Sequence, residues 1–385
     1  MPFNYRLLLR QLTRSIFCTR GTPLQLKARR VRFLAVFALA FPVMLLSSVA
    51  GMLVDEVAYR RYRRVRVRQP VFIIGNFRSG STFLHRLLAR DSRQFSSMKT
   101  WEIYFAPSVA QRRFWQGLWA VDAALGGRLL RAIRRGEERV LGRVKLHRVR
   151  LSEPEEDEAL FYYTWHTLFT WFFFPEPQRG TAYHHYDDAV PAPVRRKNVS
   201  FYRRCLQRHL FVHGCERHYL AKNPSSTPRI RSLLREFPDA RFICLVRDPR
   251  EAVPSTMSWF SFAWHYFADP PERHPFRDFV LDLTSHWYAC PLQILPRLSP
   301  RSWTIVRYDD LVADPRGTVA AIYERFGLEL SPQYEAVLRG ESERARSHRG
   351  ENHYDLADVG LDQEKIRDIY GDVLAAYEQA RLLHS

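Results

Sequence analysis

Apolar residues recur along this chain with two periods, and their alternation predicts most of the architecture. Val71–Ile74 is a short apolar run of the length of a buried strand. Beyond it, Phe83, Leu84, Leu87 and Leu88 recur at helical spacing within Ser81–Arg90. The same pairing of strand and helix returns downstream. His218–Lys222 and Arg241–Val246 read as strands, with an amphipathic helix over Ile230–Phe237 between them. Asp248 is placed to cap a helix with Pro249 at its first position. Trp303–Val306 reads as another strand, followed by a helix from Gly317 to Phe326. Strands alternating with helices predict an α/β fold, a P-loop-like parallel sheet flanked by helices. No internal repeat is visible.

Two stretches depart from this rhythm. Phe33–Val54 is 22 residues without a charge. As one helix it would run about 33 Å, against a hydrocarbon core of roughly 30 Å. It predicts an N-terminal hydrophobic helical membrane segment that spans, re-enters at Pro42 or lies on the bilayer. The second is Phe161–Phe174, with nine aromatics in 14 residues. It is too short to span and is expected to pack against the sheet, with part of it lining an acceptor pocket. Just before it, Ser152, Glu155 and the acids from Glu153 to Glu158 predict a capped helix start.

Charge sharpens the division of the chain. The net charge is +19, yet residues 1–68 hold 14 Lys/Arg and two acids, so they carry about +12 of it. This points to an anionic membrane surface rather than to nucleic acid. It sets an expected boundary between a basic, membrane-associating segment (1–68) and a catalytic domain (69–385) able to fold alone. Arginines crowd both flanks of the apolar run, which leaves its orientation open. The catalytic domain is expected on the cytoplasmic face. Cys18, Cys205, Cys215, Cys244 and Cys290 are scattered and odd in number, unlike a secreted disulfide framework. His209 and His213 are four apart but match no standard zinc spacing, and no metal is expected.

The candidate chemistry begins at Gly75–Thr82, which reads G-x-x-x-x-G-S-T between the first strand and its helix. A strand, a tight glycine loop and a helix start form an anion cradle. A Walker A loop would carry a lysine where Ser81 stands; here the cation, Arg78, lies inside the loop. Arg78-Ser79-Gly80-Ser81-Thr82 resembles the 5′-phosphosulfate loop of sulfotransferases that use 3′-phosphoadenosine 5′-phosphosulfate (PAPS). Arg247-Asp248-Pro249, with Ser255 beyond, resembles the 3′-phosphate motif of the same family. Lys222-Asn223-Pro224 and Arg307-Tyr308-Asp309-Asp310 are also similar to it, so the resemblance covers residues 70 to about 330. The narrower resemblance is to a bacterial, membrane-associated branch.

The resemblance implies transfer of a sulfuryl group from PAPS to an acceptor hydroxyl or amine; the membrane segment, by proximity alone, hints at a lipid or glycolipid as that acceptor. It implies donor contacts at Arg78, Ser79, Gly80, Ser81, Thr82, Arg247 and Ser255, with Arg78 also catalytic. A base is needed near the acceptor proton. Glu102 lies some two dozen residues beyond the loop arginine, as in several relatives, and is the first candidate; Glu153, Glu155 and His166 are its rivals. The stretch Ser347–Tyr354 is a candidate closing loop. A P-loop phosphotransferase and a non-catalytic membrane-bound nucleotide-binding protein are the competing readings.

Overall fold

The structure is a computed structural model that describes residues 2–19, 25–141, 150–174, 182–268, 270, 273–274, 276–346 and 356–382. The candidate closing loop lies outside the described residues. The chain opens with two helices, α1 (Tyr5–Phe17) and α2 (Ala28–Ala58). Strand β1 (Val71–Gly75) leads into α3 (Ser81–Leu88), and a two-residue strand β2 (Phe95–Ser96) precedes α4 (Thr100–Phe105), α5 (Val109–Ala124) and α6 (Arg128–Leu141). The aromatic stretch holds a 3-10 turn over Asp157–Tyr163 and the short α7 (Thr170–Phe173). Then come α8 (Tyr186–Ala189), α9 (Ala192–His213), β3 (His218–Lys222), α10 (Ile230–Glu236), β4 (Arg241–Val246) and α11 (Pro249–Phe267). The chain finishes with α12 (Arg277–Ile294), β5 (Trp303–Arg307), α13 (Tyr308–Ala313), α14 (Pro315–Phe326), α15 (Pro332–Arg346) and α16 (Gln363–Leu382).

The five strands pair in the order β2-β3-β1-β4-β5, all parallel, as the alternation predicts. β1 is central, with Val71 paired to Leu220 on one side and to Arg241 on the other. All five of its residues are buried. Its side chains alternate between two core layers. Phe72 and Ile74 enter the larger, aromatic layer with α9, α11 and α12. Val71 and Ile73 enter the smaller layer beneath α3, α14 and α15. From β1 the order runs one way to β3 and the other way to β4. The switch opens a crevice at the carboxyl ends of these strands, where ligands bind in open α/β sheets.

The helix expected from Ser152 does not form. Lys99 makes an isolated bridge with Pro154, and each acid has a partner elsewhere: Glu153 with Arg86, Glu155 and Glu156 with Lys222, Glu158 with Arg229. Ion pairing across the fold outweighs local capping.

The apolar run lies in one 31-residue helix, α2, that passes through Pro42 and is about 46 Å long at 1.5 Å per residue. Both of its ends are tied to the body. Buried Arg30 donates to the carbonyls of Phe173 at 2.6 Å and Phe267 at 3.0 Å, and to Ser15 Oγ at 2.8 Å. Buried Asp55 accepts from the first amides of α5, at Val109 (2.9 Å) and Ala110 (2.8 Å), and from Arg208 Nε at 2.8 Å. Between these ends, Phe37 and Phe41 pack on Trp165, and Phe33 on Phe173 and Phe267. The outer face leaves Val36, Leu39, Val43, Leu46, Leu53 and Val57 exposed. Phe41 and Met52 of α2 thus belong to the same core layer as Phe72 and Ile74.

Asp55→Ala should cost about 3–5 kcal/mol, because it takes from buried Arg208 one of its two carboxylate partners, leaving only Glu56, and uncaps α5. Denaturant melts in detergent check the size. A chain starting at Gln69 should aggregate; a soluble, cooperatively melting truncate would show that α2 is dispensable.

Candidate active site

The cradle is built on two glycines whose conformations exclude a side chain. Gly75 has φ of 127°, and a Cβ there would sit 2.2 Å from the Leu245 carbonyl oxygen. Gly80 has φ of 86°, and a Cβ would sit 2.7 Å from the Tyr308 ring. Thr227 Oγ1 closes the end of β1, accepting from Gly75 N and donating to its carbonyl oxygen, each at 2.9 Å.

Arg78 adopts the left-handed conformation, φ 63°, which few non-glycine residues visit. Neighbours hold it there. Its carbonyl oxygen accepts from Arg247 Nη1 at 3.1 Å, and its Nε donates to Ser255 Oγ at 3.0 Å. The loop and the strand-end motif, 169 residues apart in sequence, thus touch directly. Arg247 also lies over the Tyr308 ring at 4.2 Å and pairs with Glu251 at 2.6 Å. Ser79 Oγ donates to the Asn76 carbonyl oxygen at 2.7 Å, and Asn76 Nδ2 donates to that of Thr284 at 3.2 Å. Ser79 therefore braces the loop from within.

Lys222, at the end of β3, completes the cationic side. Its ammonium is fully buried, 2.7 Å from Glu156 Oε1, 3.3 Å from Glu155 Oε1 and 3.3 Å from Thr82 Oγ1. Burial alone would depress its pKa, but the Glu156 and Glu155 carboxylates raise it above the ordinary lysine value, so it stays charged.

Part of this cluster opens into one cleft of about 580 Å³, while Lys222, Ser79 and Ser255 lie behind its lining. Arg78, Gly80, Ser81, Thr82 and Arg247 line it, together with Glu155 and Glu156. Ser81 and Thr82 belong to the first turn of α3, whose positive end favours an anion. The remaining wall is aromatic: Phe77, Tyr162, Phe169, Phe172, Phe173, Trp259 and Phe267. Tyr162, Phe169, Phe172 and Phe173 of the aromatic stretch thus face the cleft, while Trp165 and Phe174 pack against α2.

Glu102 is elsewhere. Its side chain is fully buried, with Oε2 accepting from Lys99 N at 2.8 Å as a cap of α4. Its Oε1 lies 2.5 Å from His213 Nε2 and 3.5 Å from Arg112 Nε. Burial would raise its pKa, but Arg112 and the two imidazoles, His209 and His213, hold the carboxyl well below the usual range. It is not among the residues lining the cleft. Of its rivals, Glu153 pairs with Arg86, and His166 bonds Tyr183 Oη at 2.9 Å, its pKa pushed down to about 4 by burial. Glu155 alone among the named carboxylates reaches the cleft. Sequence reading missed Glu156 and gave Lys222 no role. Lys222 carried a signal, since it ends a predicted strand as Gly75 and Val246 do. Glu156 carried none beyond its place in an acidic run.

A parallel sheet with an anion cradle at its switch point defines an α/β protein built to bind a phosphate-type anion. The chain belongs to the sulfotransferase family, whose model matches residues 70–332, and its reaction is sulfuryl transfer. Over 289 residues it is 26% identical to omega-hydroxy-beta-dihydromenaquinone-9 sulfotransferase Stf3 of Mycobacterium tuberculosis and of Mycobacterium bovis, covering 74% of this chain and 69% of those. Its fold is similar to sulfotransferase STF9 from Mycobacterium avium, with TM-score 0.72, 19% identity and coverage of 97% of this chain and 96% of that one. It is also similar to sulfotransferase STF1 from Mycobacterium tuberculosis H37Rv, with TM-score 0.69, 22% identity and coverage of 96% and 92%.

Glu102→Gln separates a structural role from a catalytic one. It should destabilise the protein by about 3 kcal/mol or more at neutral pH, because buried Arg112 loses its ionised partner. A depressed carboxyl stabilises above its unfolded pKa and less as pH falls toward the folded one. The stability gap between wild type and variant should therefore narrow below about pH 4. Turnover per folded molecule should change by no more than a few-fold; a hundredfold loss would restore Glu102 as the base.

Proposed function

We propose that this chain transfers a sulfuryl group from PAPS to a hydroxyl of a lipid acceptor at a membrane surface. The observation that carries this reading is the single cleft in which a cationic cradle meets an aromatic wall beside two carboxylates. The donor supplies a sulfuryl group on a phosphate leaving group. In this reading Gly80, Ser81 and Thr82 hold the 5′-phosphate, with Ser79 fixing the loop. Arg247 takes the 3′-phosphate, and Ser255 joins it through the hydroxyl that meets Arg78. Arg78 and Lys222 stand where charge develops as the group leaves, a contribution made in the transition state more than in the ground state. Lys222 also pairs with Glu156, which lines the cleft as the base for the acceptor's proton, and Glu155 positions the pair. No metal enters these steps.

The acceptor side is argued from the wall. A wall so rich in aromatic rings suits an isoprenoid or acyl chain better than a polar sugar. The Mycobacterium relatives are named for a hydroxylated menaquinone derivative, a lipid alcohol of this kind. Phe33 of α2 packs on Phe173 and Phe267, two residues of that wall. The apolar outer face of α2, flanked by Arg29, Arg32, Arg60, Arg61 and Arg64, suits an anionic bilayer on the same side. Because both ends of α2 are tied to the body, it lies along the surface rather than crossing it. The catalytic body would face the cytoplasm.

Donor choice is read by thermal shift. Adenosine 3′,5′-bisphosphate should raise the melting temperature by linkage, and ATP much less. Equal stabilisation by ATP would overturn the donor assignment. Single-turnover rates and donor Kd values divide the roles. Arg247→Ala should weaken donor binding at least tenfold. Arg78→Ala should slow chemistry more than it weakens binding. Glu156→Gln should slow chemistry by roughly a hundredfold with donor binding nearly intact; an unchanged rate would remove it as the base.

A further inference from the structure

Outside the cleft, three histidines and an aspartate from two elements meet. The 3-10 turn Ala182–His185 ends in His184 and His185. Beside it, α12 presents Asp282 and His286, four residues apart and so on one helical face. His184 Nε2 lies 2.8 Å from Asp282 Oδ2, and His185 Nε2 lies 3.0 Å from the same oxygen. The ligand atoms of His184, His185 and Asp282 all fall within 4.8 Å of one another. The His286 ring lies beside them, tilted against that of His185 with centroids 4.0 Å apart.

We propose that His184, His185, Asp282 and His286 form a binding site for a zinc-type transition-metal dication. Imidazole nitrogen and carboxylate oxygen are zinc donors, and four of them make a closed structural set. Tetrahedral bonds of about 2.0–2.1 Å place ligand atoms roughly 3.3 Å apart. The observed 2.8 and 3.0 Å separations are within a few tenths of an ångström of that. The backbone of His184 is itself fixed, since its carbonyl oxygen accepts from buried Trp287 Nε1 at 2.9 Å and its ring packs on Phe279 at 4.7 Å.

A second cluster, Glu102 with His209 and His213, has similar spacing. It carries the fully buried Arg112 guanidinium 3.5 Å from Glu102, which repels a dication, and His209 Nε2 is already 2.8 Å from Ser96 Oγ. At Asp282 of the surface-facing cluster, the ion-pair partners among the described residues are His184 and His185, with no arginine or lysine among them. Its role is structural. Thr284, between Asp282 and His286 on α12, accepts from the Asn76 amide of the anion loop. A metal there joins the 182–185 turn to the helix that braces the loop from behind.

The test uses the full-length, tag-free protein in detergent, stripped with a chelator and titrated with Co²⁺, then Zn²⁺. The expected result is one Co²⁺ per chain with visible d–d bands, displaced by Zn²⁺, and a higher melting temperature with Zn²⁺. His185→Gln/His286→Gln should lower affinity at least tenfold, and so should Asp282→Asn, whose exposed side chain keeps a folded control. His209→Gln/His213→Gln should bind as wild type does. Absence of stoichiometric binding by the intact chain overturns the site. So does wild-type affinity in both His185→Gln/His286→Gln and Asp282→Asn, or loss only in His209→Gln/His213→Gln.

Discussion

The ammonium of Lys222 is the constraint on which the site depends. A buried charge without partners costs several kcal/mol, so the chain must bring counter-charges to it. Glu155 and Glu156 are those counter-charges, and they cannot reach Lys222 from a regular helix starting at Ser152. The acidic stretch instead lies irregularly across the strand ends. Two residues on, Glu158 joins Arg229 in a buried pair, and Arg229 is held between the Phe161 and Tyr186 rings. These ionic anchors fix where the aromatic run begins, and so which of its rings face the cleft. Thr82, on the same ammonium, ties the cradle to this arrangement.

The contact between Arg78 and Arg247 works alongside it. Two cationic side chains would repel at close range, yet here a guanidinium meets a carbonyl oxygen. Glu251 and the Tyr308 ring offset the charge of Arg247 on its other sides. The left-handed turn at Arg78 is what aims that carbonyl, and the two glycines on either side make the turn possible. Backbone conformation thus places both cations in the cleft without direct opposition.

How much of this was legible in sequence follows from how local each signal is. The four longer strands and the glycine loop were, because buried parallel strands are continuous apolar runs and the loop needs glycine at fixed offsets. β2 was not, since two residues carry no period. Arg247 and Arg78 were legible through their place at strand ends. Glu102 misled because sequence distance from the loop says nothing of direction; α4 turns its carboxylate toward Arg112 and away from the crevice. Glu156 was hidden, because only the fold reveals which member of an acidic run meets a lysine 66 positions away. The role of α2 was half legible: its apolar length was plain, but Arg30 and Asp55 reveal their partners only in three dimensions.

The anchoring of α2 also sets an order of events during synthesis. One partner of Asp55 lies 153 residues downstream, and one partner of Arg30 lies 237 residues downstream. At about 5–20 residues per second, the helix leaves the ribosome roughly ten to fifty seconds before its docking sites exist. Throughout that interval both its faces are bare. A nascent chain of this design needs shelter from water before it has a fold, and a lipid surface is chemically suited to give it. Attachment would then precede folding, and the body would assemble onto a helix already lying where the finished enzyme works.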